Sequence, residues 1–101
     1  MFERLEATYS AARTSAIDVR EMDRGRFSVS EISGVISSAV FALEVSVSGV
    51  DYFSPTSSVE VTGVGTSAEI DFEGYAFARV KVKTASSSAS TAMVTIYAKD
   101  A

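Results

Sequence analysis

The sequence predicts an all-β protein, folded as a single β-sandwich or jelly-roll-like domain of about seven to eight short antiparallel strands. Apolar side chains recur at every second position, which is the period of a strand with one buried face. Val, Ile, Thr, Phe and Tyr are plentiful, and turn signals recur about every 8 to 12 residues. The 101 residues, of which 47% are hydrophobic and 22% charged, suit one globular domain.

The first half of the chain predicts three strands. Segments 16–21 and 26–31 each alternate apolar and polar side chains, and residues 23–25 between them have the composition of a tight turn. We therefore expect a hairpin, with Gly25 at a positive φ in its turn. Residues 39–47 form the most apolar alternating segment and predict a core strand. Its core face is expected to carry Phe41, Leu43, Val45 and Val47.

The second half predicts four further strands. Two short segments, 58–62 and 67–72, flank residues 63–66, whose two glycines suit a hairpin loop. The segments 75–84 and 91–99 are longer alternating strands, and a short serine-rich loop joins them. This arrangement favours a sandwich over a closed up-and-down barrel.

Residues 1–14 match the strand pattern less well than the rest. We expect them to form an N-terminal arm that docks on a neighbouring subunit, with residues 15–101 forming the sandwich domain. Phe2 and Leu5 are the apolar residues of this arm that we expect to contact a partner. The alternatives are a helix turn at its start, an added strand over residues 7–12, or simple fraying.

The residue types on which most enzymes and metal sites depend are missing. The chain has no His and no Cys. It therefore cannot assemble the usual ligand sets for zinc, iron or copper, or the common acid–base and nucleophile pairs. We expect no enzyme activity, no catalytic residues, no cofactor and no metal site.

Two groups of carboxylates are the remaining candidates for an active or metal site. One lies at alternate positions of a predicted strand, as glycosidase carboxylates or calcium ligands sometimes do, and the other surrounds the first predicted turn. Like charges on a short edge strand also prevent edge-to-edge aggregation, and we favour that interpretation for the first group, whereas we expect the second group to be solvated surface charges. The groups are Glu69, Asp71 and Glu73, and Asp18, Glu21 and Asp23.

The overall charge and the apolar runs predict which partners the chain lacks. The net charge of -4 argues against binding nucleic acid through its phosphates. No apolar run approaches membrane-spanning length, and residues 1–6 lack the apolar core of a signal peptide. We therefore expect synthesis in the cytoplasm, with no nucleic acid and no membrane as partner.

Arg79, Lys81 and Lys83 form the densest group of cations. They occupy alternate positions of the predicted strand 75–84 and so project from one face. We call them the basic stripe. It is either a solvated sheet face or a stripe that faces an acidic neighbour.

Five aromatic residues lie close together in the sequence and suggest a different function. Such a group can stack on sugars, which makes a carbohydrate-binding module an alternative from another functional class. The chain has no Trp, and aromatic residues at strand positions usually belong to the core. The five are Tyr52, Phe53, Phe72, Tyr75 and Phe77.

Several segments resemble small β-sandwich structural proteins of tailed bacteriophages. Residues 41–53 resemble a strand, a small-residue turn and an aromatic pair of those proteins. Residues 74–82 and 92–97 resemble their closing strand pair, and residues 15–19 resemble their opening strand. The resemblance spans about residues 15–98.

This resemblance implies a virion component made in the host cytoplasm. Capsid decoration, or cement, suits a small acidic chain, and attachment at the neck, tail or fibre is the alternative. The implied partners are the major capsid protein or another virion protein, with the chain as a homo-oligomer. No catalytic residue is implied, so the expected contact residues rest on position: Arg79, Lys81, Lys83, Phe2 and Leu5.

Overall fold

The structure is a computed structural model that describes residues 1–34, 36, 38–55 and 59–99. Ser58, the first residue of the predicted segment 58–62, and residues 100–101, the last of the predicted sandwich domain 15–101, lie outside the described residues. The described part contains strands and no α-helix, which confirms the predicted all-β class. The strands are β1 (Phe2–Glu6), β2 (Ile17–Asp18), β3 (Arg24–Ser33), β4 (Val40–Ser46), β5 (Glu60–Thr62), β6 (Gly65–Thr66), β7 (Ile70–Asp71), β8 (Phe77–Thr84) and β9 (Thr91–Lys99).

The strands form two antiparallel sheets. The front sheet has the order β1-β9-β3-β6, with β7 also paired to β3, and the back sheet has the order β2-β8-β4-β5. The chain follows the path of a long hairpin that has been rolled up, because β1, β2, β3 and β4 pair in turn with β9, β8, β6 and β5. Rolling then joins β3 to β9 and β4 to β8. This is jelly-roll topology.

The core lies between the sheets and follows from the period-two pattern. Each long strand turns its alternate apolar side chains inward, and the fully buried ones interdigitate between the two layers. The largest contributors from the central strands are Phe27, Phe41, Leu43, Val45, Val80, Val82 and Val94.

The two predicted hairpins are wrong. β2 pairs with β8 in the back sheet, whereas β3 lies in the front sheet, so residues 19–23 cross from one layer to the other. Residues 63–64 likewise lead from β5 in the back sheet to β6 in the front sheet. Alternation predicts which face of a strand is buried, but it does not predict the neighbouring strand. Both short links are therefore arches between sheets.

Gly25 lies inside β3 and not in a turn, and its φ is not positive. It is buried between β7 and β9, and the ring of Phe72 packs against it. A Cβ built at this position would overlap the Phe72 ring, with Cζ at 2.9 Å, and the carbonyl oxygen of Tyr97. The glycine is thus required for close approach and not for a special φ.

The N-terminal residues also differ from the expected arm. Residues 2–6 form β1, which pairs along β9 as the outer strand of the front sheet. Leu5 is 4% exposed and Ala7 is fully buried, so this segment contributes to the core. The chain then crosses to the back sheet, where Thr14 N–H donates to the Val80 carbonyl at 2.8 Å. A stretch of only two inward apolar residues gives too weak a pattern to predict this strand.

Candidate interaction surfaces

The basic stripe lies on the outer face of β8, as its alternating positions predicted. The structure places two acidic residues of the neighbouring strands β4 and β5 beside it. Arg79 Nε donates to Glu44 Oε1 at 3.0 Å, and Lys81 Nζ lies 3.4 Å from Glu44 Oε2. Lys83 Nζ donates to Glu60 Oε2 at 2.6 Å. The stripe is therefore one side of a charge ladder across the back sheet.

Glu44 is the centre of this ladder. Its side chain is only 7% exposed, and a carboxylate at such a position is stable only when it is paired. Arg79 supplies one partner, and its guanidinium carbon lies 3.7 Å from the centre of the Tyr52 ring. Arg79 therefore contacts both the Glu44 carboxylate and the Tyr52 ring. The arrangement stabilises the outer face of β4 and leaves Arg79 little freedom to bind anything else.

Lys81 and Lys83 remain more accessible than Arg79. Their side chains are 42% and 52% exposed, compared with 19% for Arg79. Exposed pairs of this kind contribute little to stability and exchange partners readily. Only these two members of the stripe can therefore offer charge to another molecule.

The structure separates the two predicted contact residues of β1. Leu5 points into the core and cannot reach a partner in the folded chain. Phe2 lies on the outer face of the front sheet and is 69% exposed. Only Phe2 is thus available for contact.

A shallow groove on the outer face of the front sheet was not predicted from the sequence. Glu69 lies in it and accepts hydrogen bonds from Arg24 Nη1 at 3.3 Å and from Arg26 Nη2 at 3.5 Å. The bond from Arg24 holds the pKa of Glu69 below its ordinary value of 4.5. The charges pair across β3 and the β7 edge, and this pairing depends on a strand order that spacing does not reveal. The groove is lined by Arg24, Gly25, Arg26, Glu69, Tyr97, Ala98 and Lys99.

The carboxylate groupings do not form a shared site. Asp18 Oδ2 accepts a hydrogen bond of 2.6 Å from Arg20, and side-chain hydrogen bonding to Arg20 lowers the pKa of Asp18. Asp71 Oδ1 accepts a hydrogen bond from the backbone N–H of Glu73 at 2.8 Å and so fixes the turn after β7. In the part of the chain that the structure describes, no three potential metal ligands come together.

The five aromatic residues do not form one flat surface for a sugar. Phe72 is fully buried, and Arg79 covers the Tyr52 ring. Phe53 and Tyr75 meet edge to face with centroids 5.8 Å apart, and Arg20 lies over Phe77. Their rings contact one another, the core or arginines, and so stabilise one end of the sandwich.

The loop after β4 presents an exposed apolar tip. Val47, which was predicted to face the core, lies beyond the end of β4 and is 65% exposed, and Val50 is 81% exposed. Ser46 and Ser48 hold the loop, because their hydroxyls accept hydrogen bonds from the backbone N–H groups of Gly49, Val50 and Asp51. The tip therefore presents its apolar side chains from an ordered backbone.

No protein-family model and no curated protein matches the chain. Among solved structures, it is similar to the SPBc2 prophage-derived protein YomS. The two share 10% sequence identity, the match covers 96% of each chain, and the TM-score is 0.58. The likeness is one of fold. No helix in the described residues is long and apolar enough to cross a membrane.

Proposed function

We propose that this chain is a structural protein of a bacteriophage virion, and more specifically a capsid decoration protein that binds and stabilises the assembled shell. The observation that carries the proposal is the similarity of fold to a prophage-derived protein along 96% of both chains. The sequence resemblance to small phage sandwich proteins supports it independently.

Decoration of this kind acts through surface contact and needs no reaction. A copy that bridges neighbouring capsid subunits adds a modest buried area, and repetition over a symmetric shell makes weak contacts sufficient. Lys81 and Lys83 are suited to acidic groups on such a partner, because both side chains are exposed and exposed ion pairs exchange partners readily. Val50 supplies a rigid apolar contact at the end of the same sheet.

The direct test compares shells of the parent phage with and without the purified protein. We expect the protein to occupy on the order of hundreds of sites on each assembled shell and to raise the melting temperature of the shell. A copy number of about a dozen or fewer in purified virions would instead indicate a neck or tail position. Tight binding to free glycans, with no binding to shells, would favour the carbohydrate-binding alternative.

Charge neutralisation tests the basic stripe as a contact surface. The double variant K81Q/K83Q keeps the stems of both side chains and avoids placing new acids beside Glu44 and Glu60. We expect it to fold normally and to bind shells more weakly at low salt, since rim charges mainly affect association. The matched control K99Q, on the front sheet, should bind as the wild type does. Equal binding by the double variant would exclude the stripe from the interface.

A further inference from the structure

Among the described strands, β1 is the longest strand at a sheet edge. The other edges are formed by two- or three-residue strands: β2 and β5 in the back sheet, and β6 and β7 in the front sheet. Short edge strands offer few backbone groups for pairing with another chain, whereas a five-residue edge offers a usable template. Of the strands that the structure describes, β1 is therefore the edge strand best suited to strand addition.

The backbone groups on the free side of β1 can be assigned from its bonds to β9. Met1 and Ile96 exchange both of their N–H···O bonds, at 2.9 and 2.8 Å, and Ala7 N–H donates to the Ser90 carbonyl at 3.0 Å. In an antiparallel ladder the inward-bonding residues alternate, so the backbone groups of Phe2, Arg4 and Glu6 point away from β9. Within the described residues, the one other hydrogen bond that these groups form is a long one of 3.5 Å from Tyr9 N–H to the Glu6 carbonyl, which has a second lone pair.

The side chains along this edge are self-complementary in charge. Arg4 and Glu6 are both exposed, and neither forms an ion pair with a described residue. Glu3, which precedes Arg4, lies on the opposite face of β1, where its carboxylate accepts hydrogen bonds from Ser15 N–H at 3.1 and 3.2 Å. The edge thus presents one cation and one anion two positions apart on the same face.

We propose that β1 pairs antiparallel with β1 of a second copy of this chain. Leu5 lies opposite Leu5 of the second copy, so Arg4 of each copy lies opposite Glu6 of the other. Opposite charges directly across an antiparallel pair are stabilising, and this register forms the contact twice by symmetry. The alternative register that places Arg4 opposite Arg4 of the second copy sets like charges against each other and is disfavoured. The two front sheets become one continuous sheet, an arrangement that does not depend on the virion role.

The same register brings apolar residues together beside the new strand pair. In this register Phe2 of one copy lies beside the turn that follows β1 in the other copy, where we expect it to contact Tyr9. Phe2 and Tyr9 are 69% and 61% exposed in the single chain. Their mutual burial adds hydrophobic contact to the backbone hydrogen bonds.

Charge-swap variants test the register by sedimentation velocity and native mass spectrometry at low salt. We expect the wild type to shift from monomer to dimer with increasing concentration, and R4E and E6R each to dimerise about tenfold more weakly, because each sets like charges opposite one another twice. An equimolar mixture of R4E and E6R should form the heterodimer, and F2S should weaken the wild-type dimer. The controls K99E and E73R carry the same charge changes elsewhere and should dimerise as the wild type does.

Amide hydrogen exchange on the wild type tests the proposal without any substitution, so the result does not depend on how a variant folds. The amides of Arg4 and Glu6 should exchange rapidly in dilute solution and become protected as the dimer forms. The proposal is overturned if the wild type stays monomeric at all concentrations, if R4E dimerises as the wild type does, or if folded R4E and E6R fail to associate when mixed.

Discussion

Replacing Gly25 with alanine is expected to destabilise the protein strongly, although alanine is normally the better residue in a strand. The new methyl group would point into the core, where it meets the Phe72 ring and the carbonyl oxygen of Tyr97. The ring can shift only by disturbing its own fully buried surroundings. The carbonyl belongs to β9 at the position that pairs with Arg26 of β3, so it cannot rotate away without breaking the ladder between these two strands.

The magnitude follows from two opposing effects. Forcing a methyl group into a packed core costs about 1 to 3 kcal/mol, and two overlaps, one with backbone, place this site near the upper end. Alanine also lowers the conformational entropy of the unfolded chain, which stabilises the folded state by about 0.5 to 1 kcal/mol relative to glycine. The net loss is about 2 kcal/mol, which corresponds to a fall in Tm of roughly 8 to 16 °C for a domain of this size.

Thermal melting followed by circular dichroism measures this change, and Gly65 provides the matched control. A Cβ at Gly65 would lie 3.4 Å from Val61 Cγ1, which is an ordinary contact, and its φ is not positive. Gly65→Ala should therefore leave Tm unchanged or raise it by a few degrees. If Gly25→Ala melts within about 2 °C of the wild type, the close packing of Phe72 on β3 is refuted.

Three further predictions concern the core edge, the charge ladder and acid. Leu5→Ala should cost about 2 to 4 kcal/mol in urea unfolding, and Phe2→Ala almost nothing; equal effects would mean that β1 is not part of the core. Glu44→Ala should cost about 2 to 3 kcal/mol because it leaves two cations unpaired, whereas Glu60→Ala should cost less than about 1 kcal/mol; a harmless Glu44→Ala would contradict the ladder. Because the folded-state pKa of Glu69 lies below its ordinary 4.5, its contribution is present above that pH and is lost as pH falls through the lowered value. The urea midpoints of the wild type and Glu69→Gln should therefore differ at neutral pH and converge in strong acid, and a gap that persists in acid would argue against the pairing.

The fold class follows from local information, which the sequence carries directly. Alternation in residues 39–47 and 75–84 identifies strands and their buried faces, since a side chain's face depends only on its position along its own strand. Partner strands depend on the path of the whole chain. The link from β2 to β3 has the composition of a hairpin turn and yet crosses between sheets. No local rule distinguishes these two uses of a short polar link.

The candidate surfaces likewise combine features that the local sequence predicts with features that depend on which strands are neighbours. The basic stripe lies on one face as its spacing predicts, but its neutralisation by Glu44 requires β4 to lie next to β8. A carboxylate in the middle of the most apolar strand is itself a signal that a cation lies opposite it, because such a group is not buried alone. Gly25 carried no comparable signal. Its role depends on Phe72, which lies 47 positions further along the chain.

The rolled path of the chain has a consequence for its synthesis. Among the described strands, β9 comes latest in the sequence and lies between β1 and β3, so these two strands stay apart in the front sheet until β9 has been translated. Until then β1 and β3 expose unpaired edges, and such edges favour aggregation. Folding therefore cannot be completed before β9 has left the ribosome, and it joins segments far apart in sequence, which makes it slow. A ribosome that stalls before β9 would leave a chain without its central strand, and such a fragment is a substrate for chaperones or proteases.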